Sequence, residues 1–317
     1  MPIDRIITVG IAPAWDIRCF GEDLDWDRHA ALTGQTVLPA GKALNICRAL
    51  GWLGRSSVAA GLWGSDDYRQ MTQGVAGWLG PIEVRMTVVP GATRQNVTVI
   101  DAKRGREMHL RARNGLATEA NLLRLRDDLT GLVDDQCVCV FAGSMPVDAR
   151  LDACLACLDA CRQAGARLAV DTSGAAMERI LAAGPVWVIK PNLAELGELL
   201  HRSVEDRVEA IAAAVGPLTD RVEIIVVSRG ARGAVAVTPA GTWSAEPART
   251  DRPTAGTVGC GDFLLAGLLD ALAAGRTMEQ ALAQAVAVGS AHAWGWSQDK
   301  SWADLADMIP VRVRSIR

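Results

Sequence analysis

The stretch GTVGCGDFLLAGLL, residues 256–269, sets three glycines and an aspartate directly in front of an apolar helix. Glycine at a helix start costs backbone entropy that alanine would not. That cost makes sense where the backbone itself must approach something closely. N–H groups at a helix N-terminus lack intrahelical partners and carry positive partial charge, so an anion is the natural visitor. The N–H groups of Gly259, Cys260 and Gly261 then form an anion-binding nest. Asp262 adds a carboxylate beside that anion. Either it caps the helix, or it takes a proton from a hydroxyl attacking a phosphorus held there. The pentapeptide VGCGD (258–262) alone leaves both readings open.

Upstream of this helix, short apolar runs alternate with helix-length segments. RIITVG (5–10) reads as a strand, KALNICRALGWLG (42–54) as a helix ending in glycine, SVAAGLWG as a strand, and the residues around 66–78 as a helix. CVCVFAG, RLAVD, VWVIK and VEIIVVS follow, each behind a plausible helix. Such alternation implies a parallel sheet covered on both faces, with the site at the carboxyl ends of its strands. Residues 12–38 and about 85–113 break the rhythm with strand-like segments and no helix between them. They read as a small antiparallel sheet inserted in the main domain, a lid or a dimer surface. Past residue 256 the chain turns helical, with one helix over 262–274 and a second over 277–296 opened by a Thr277-x-x-Gln280 capping box.

The 317 residues are half apolar and 22 % charged, which marks a globular protein with ample core material. A net charge of −3 argues against a general nucleic-acid binder. No signal peptide or membrane-length apolar run is visible, so a soluble cytoplasmic protein is expected. Cys154, Cys157 and Cys161 fall on one helical stripe with Leu151, Leu155 and Leu158, which reads as core in a reducing compartment rather than as a metal site. Walker, dinucleotide, protein-kinase, metalloprotease and esterase motifs are absent.

Eight segments, in order, carry a resemblance over nearly the whole chain: APAWD (12–16), PAGKALNICRALGWLG (39–54), TRQNV (93–97), AGSMP (142–146), DTSG (171–174), KPNLAEL (190–196), VSRGARGA (227–234) and GTVGCGDFLLAG (256–267). Together they resemble the ribokinase-like, or PfkB, carbohydrate kinases, within which the chain is most similar to the 1-phosphofructokinase and tagatose-6-phosphate kinase branch. The resemblance implies a three-layer α/β/α domain with a mainly parallel sheet and a small inserted β-sheet lid. It implies an ATP- and Mg²⁺-dependent kinase that turns a ketohexose phosphate into a bisphosphate, and it leaves K⁺ open as a further cofactor. Asp262 would be the base and Gly259, Cys260 and Gly261 the anion hole. Asp16, Gly41 and Asn45 would hold the sugar, and Lys42, Arg94 and Ser144 its phosphate, for which an arginine fork is well suited. Lys190, Asn192, Ser228, Gly230 and Gly233, with Gly259 and Gly261, would bind the nucleotide, and Glu195 the metal. A homodimer through the lid is expected.

The chain also departs from the family pattern. Ala12 stands where asparagine is usual, Trp15 where an aliphatic is, and Ala40 and Ala43 where glycines are. Gly256 replaces a polar residue in a loop that supports a monovalent cation in many relatives, and bulky Phe263 follows Asp262 where a small residue is common. Two rivals follow: a kinase of an unphosphorylated sugar or nucleoside, and a non-catalytic sugar-phosphate sensor.

Overall fold

The computed structural model describes residues 3–247 and 254–316. Its large sheet has ten strands. Seven run parallel, in the order β11 (Val222–Ser228), β10 (Val186–Ile189), β9 (Arg167–Asp171), β8 (Cys137–Ala142), β1 (Arg5–Gly10), β4 (Ser57–Gly64) and β5 (Ile82–Val89). The hairpin β12 (Ala234–Thr238) and β13 (Gly241–Pro247) and the last strand β14 (Val311–Ile316) extend it antiparallel beyond β11. Strand β1 is flanked by β4 on one side and by β8 on the other. That reversal of strand order opens a crevice at the carboxyl ends of β1 and β8.

Every residue of β4 and of β8 is buried. Such strands form only where helices cover both faces of a sheet. On one face Ile7, Val9, Cys139, Phe141 and Val170 pack with α3 (Glu119–Thr130), α4 (Arg150–Gln163), α5 (Ala175–Ala183), α6 (Leu193–Leu199) and α7 (Val208–Val215). On the other, Ile6, Val138, Val140 and Val188 pack with α1 (Lys42–Trp52), α8 (Cys260–Ala273) and α9 (Met278–Ala293). Cys154, Cys157 and Cys161 are buried in the first of these cores. No group of three or more His, Cys, Asp or Glu side chains placed to hold a metal ion occurs among the described residues.

A four-stranded sheet, in the order β3 (Gly34–Ala40), β2 (Ala14–Gly21), β6 (Gln95–Asp101) and β7 (Arg106–Arg111), stands apart from the large one. Two details differ from the sequence expectation. Residues 85–89 complete β5 in the large sheet, and the small sheet is mixed, because β2 and β6 pair in parallel. Alternation along a strand reports which face is buried and says nothing of partner direction. Trp15, Ile17 and Cys19 of β2 pack on Leu44 and Cys47 of α1 and on Met71 and Val75 of α2 (Tyr68–Ala76). The small sheet is thereby seated over the helix that opens with Lys42.

Candidate active site

Helix α8 begins two residues before the expected start, with Gly259 as its N-cap in the left-handed region at φ 84° and ψ −8°. Only glycine adopts that conformation without strain, and a Cβ there would also stand 3.1 Å from His292 Nε2. Asp262 is accordingly the third residue of the helix, not its cap. Its carboxylate accepts a 2.8 Å hydrogen bond from Asn45 Nδ2 of α1 instead. This removes the capping reading left open by the sequence.

Asp262 is buried, 5 % exposed. Burial and the nearby Asp171 carboxylate push its pKa up to about 6, against the pull of the Asn45 bond, Lys42 and Lys190. Asp171 is the residue that sequence reasoning passed over as a site group. It ends β9, is 1 % exposed, and accepts from Lys42 Nζ at 3.2 Å through Oδ1. Its Oδ2 lies 3.6 Å from Lys190 Nζ. The DTSG stretch at a strand end was its only signal. Lys42 also lies 3.9 Å from Glu195 Oε1. Burial works against its ammonium, yet Asp171, Glu195 and Asp262 together hold its pKa above the ordinary lysine value.

These contacts gather Asn45, Lys42, Asp171, Lys190, Glu195 and Asp262 at the carboxyl ends of the strands. Gly261 belongs with them, since a Cβ on it would meet Lys190 Nζ at 3.1 Å. Gly41 caps α1, and with Ala12, Pro13 and Lys42 it lines a small cleft beside β1. Arg94 borders this cleft and gives three hydrogen bonds to carbonyl oxygens, Nε to Pro13, Nη2 to Ala12 and Nη1 to Ala112. Two of its five N–H groups are left over. Ser144 is exposed just past β8, where the preceding Gly143 donates its N–H to the Asp171 carbonyl at 3.0 Å. Asp16 sits on β2 with Oδ2 3.3 Å from Arg18 Nε.

On the other side, Asn192 and Glu195 form a capping box at the start of α6. Ser228 closes β11 against them, donating its N–H to the Pro191 carbonyl at 3.0 Å. Gly230 and Gly233 follow Ser228 in a turn. Gly233, at φ 80°, is required by close approach, because a Cβ would lie 1.9 Å from the Ala245 carbonyl oxygen.

A buried carboxylate with a raised pKa, two lysines and a glycine turn at a helix N-terminus suit phosphoryl transfer. The model of the pfkB family carbohydrate kinases matches residues 5–293. The chain belongs to the pfkB carbohydrate kinase family. It is 32 % identical to a 1-phosphofructokinase of Rhodobacter capsulatus and 30 % identical to one of Escherichia coli K12, with 90 % of each chain covered in both cases. Among solved structures, the tetrameric inhibited form of phosphofructokinase-2 from Escherichia coli superposes with a TM-score of 0.84 at 24 % identity, over 96 % of this chain and 100 % of that one.

A pfkB kinase uses ATP with Mg²⁺, and the residues present fit both. The Asp171 Oδ2 is buried without a hydrogen-bond partner, and the Glu195 carboxylate stands nearby across Lys42. The donor set for K⁺ does not fit as well. Gly256 has no side chain to offer, and the adjacent Ala293 carbonyl already accepts from the Ala255 and Gly256 N–H groups at 2.8 and 3.3 Å.

Proposed function

We propose that this kinase transfers the γ-phosphoryl group of ATP to fructose 1-phosphate, giving a ketohexose bisphosphate, with Asp262 as general base. The observation that carries the reading is the buried Asp262 carboxylate, tied to Asn45 and poised at a pKa of about 6 beside the glycine turn. A base with that pKa is ionised at pH 7 yet basic enough to accept a proton as the sugar hydroxyl attacks. The O–H bond breaks toward Asp262, the new O–P bond forms, and the bond from the γ-phosphorus to the bridging oxygen breaks to leave ADP. First-turn N–H groups of α8 and Lys190 offset the charge on the transferred oxygens. Mg²⁺ held by Glu195 and Asp171 would neutralise triphosphate charge. Asn192, Ser228, Gly230 and Gly233 shape the nucleotide side, and Asp16, Gly41 and Asn45 the sugar side. Steady-state ADP release with fructose 1-phosphate, fructose 6-phosphate, tagatose 6-phosphate and free sugars tests the assignment. A kcat/KM for free fructose matching that for the phosphorylated sugars would favour the kinase of an unphosphorylated sugar.

In this reading Lys42, Ser144 and the two remaining N–H groups of Arg94 grip the phosphate already on the sugar. Arg94→Ala is expected to weaken sugar-phosphate binding by about 1.5–3 kcal/mol, the range of a charge-assisted bond. The three carbonyl bonds of Arg94 add a second consequence. Its loss also loosens the Ala12–Pro13 turn, so a fall in Tm is expected beside the rise in KM, while ATP binding stays close to wild type. Equal losses for sugar phosphate and ATP would mean that Arg94 supports the small sheet alone.

The small sheet is proposed to act as a lid that keeps water from the phosphoryl group, and as a dimer surface. On one face its edge strands present Val37, Met108 and Leu110 to solvent, with Leu38 on the other face, while Leu32 and Trp26, 75 % exposed, stand between β2 and β3. Edge strands β3 and β7 bearing such a face are covered by a second copy in this proposal. Light scattering at micromolar concentration is expected to give twice the chain mass, and a fully active monomer would contradict it. No helix among the described residues is long and apolar enough to cross a membrane. A cytoplasmic location is part of the same proposal, since all eight cysteines are free and the reaction consumes ATP.

A further inference from the structure

The turn that leads into α8 is held from beneath by one side chain. His292, in the last turn of α9, lies face to face with Phe263, with ring centroids 3.8 Å apart and planes 14° from parallel. Its Nε2 is 3.1 Å from the Val258 carbonyl oxygen, and its Nδ1 is 2.7 Å from Ser297 Oγ, in α10 (Trp296–Asp299). A carbonyl only accepts, so Nε2 carries the proton and Nδ1 accepts from the Ser297 hydroxyl. Burial, with a smaller push from Arg48 and Arg18, brings the His292 pKa down to about 4 against the pull of the Val258 bond. The ring is therefore neutral near pH 7, and its one-donor, one-acceptor arrangement persists.

The peptide bond converts this contact into an orientation. In a trans peptide the C=O and the following N–H point in opposite directions. A Val258 carbonyl aimed at His292 therefore turns the Gly259 N–H away from α9. The second contact acts on the same residue, since His292 Nε2 stands 3.1 Å from the position of a Cβ on Gly259. Phe263, the bulky residue after Asp262, is explained by the same arrangement. It is 2 % exposed, packs on Trp52 at 5.9 Å between centroids, and forms the ring on which His292 rests.

We propose that His292 is a positioning residue for phosphoryl transfer, fixing the Val258–Gly259 peptide so that the Gly259 N–H faces the transferred group. The proposal rests on the reading of this turn as the phosphoryl site. His292→Gln keeps an N–H donor at similar reach, whereas His292→Leu keeps apolar bulk without the donor. The leucine variant is expected to lose about 10–100-fold in kcat, the cost of a misaimed oxyanion donor, with KM for the sugar phosphate little changed. The glutamine variant is expected to stay within about fivefold of wild type, as one retained hydrogen bond allows. Leucine matching wild type, or glutamine no better than leucine at equal Tm, overturns the proposal. Should the leucine variant fail to fold, Ser297→Ala leaves the ring stacked but removes the hydrogen bond that anchors its Nδ1 side and keeps Nε2 aimed at Val258. A drop of about threefold or more in kcat at unchanged Tm then supports the role, as expected for loss of one hydrogen bond, and unchanged kcat overturns it. Asp262→Asn assayed beside them separates the two claims. Wild-type turnover in Asp262→Asn would remove the phosphoryl-site reading itself, whereas an inactive Asp262→Asn beside a fully active His292→Leu would remove only the role of His292.

Discussion

Replacing Asp262 by asparagine is expected to lower kcat by about 10²–10⁴, roughly 3–5 kcal/mol on the barrier, the range for loss of a general base. The fold is expected to survive and to gain stability. The carboxyl has a pKa of about 6 in the native protein against an ordinary 3.8, so the folded state holds its proton more tightly than the unfolded chain does. Stability therefore falls as pH rises from about 4 through about 6, and above that window the penalty is complete. Two pKa units correspond to about 3 kcal/mol, an upper figure for what asparagine removes at pH 7. The amide oxygen can still accept the Asn45 bond. Nucleotide binding, read by titration calorimetry, should be retained or slightly tightened because one negative charge near the triphosphate is gone. A folded, more stable, ATP-binding protein with little turnover is the expected result. Retention of more than about a tenth of wild-type kcat would fall outside the general-base range.

The second large effect is expected at Asp171, which stands between Lys42 and Lys190. Asp171→Ala leaves the buried Lys190 without its counter-charge, which typically costs about 3–5 kcal/mol. For a chain of this size that corresponds to a fall of about 4–8 °C in Tm. Asp171→Asn is milder for stability and more informative for chemistry. Burial is the main cause of the raised Asp262 pKa, and the Asp171 charge is the next. Neutralising Asp171 is therefore expected to move the acidic limb of the pH–kcat/KM profile to lower pH, away from its wild-type position near 6. It should also lower kcat by about tenfold or more, because Lys42 and Lys190 lose the group that orients them. A limb that stays in place would mean that Asp262 does not set it.

The parallel strands and helix α8 were legible because each is a local pattern: four or more apolar residues closed by glycine or a polar residue, and a glycine turn before an apolar run. Asp262, Lys42 and Lys190 were legible because motifs in order place them at strand and helix ends. The pairing that ties them together was not. Lys42 and Asp171 are 129 residues apart, and Asn45 and Asp262 are 217 apart. No short-range periodicity encodes such contacts. Asp262 was expected as a possible cap because the pattern does not show where the first helical residue falls, and the left-handed Gly259 moves it two residues upstream. The parallel pairing of β2 with β6 escaped for a similar reason, since their register is fixed only by how both strands lie over α1 and α2. Arg94 reads as a phosphate ligand, and only the folded chain brings the Ala12, Pro13 and Ala112 carbonyls to it. His292, one of four scattered histidines, gave no signal at all. Phe263 gave one, as a bulky residue in a place that usually holds a small one.

The measurement that bears most directly on the central claim is ³¹P NMR of the wild-type protein with ATP, Mg²⁺ and fructose 1-phosphate. The account predicts loss of the ATP γ-phosphorus signal in step with the appearance of ADP and of a second phosphomonoester signal on the sugar, with no inorganic phosphate and no reaction when the sugar phosphate is left out. Release of inorganic phosphate without a bisphosphate, or transfer to free fructose as readily as to fructose 1-phosphate, would contradict it.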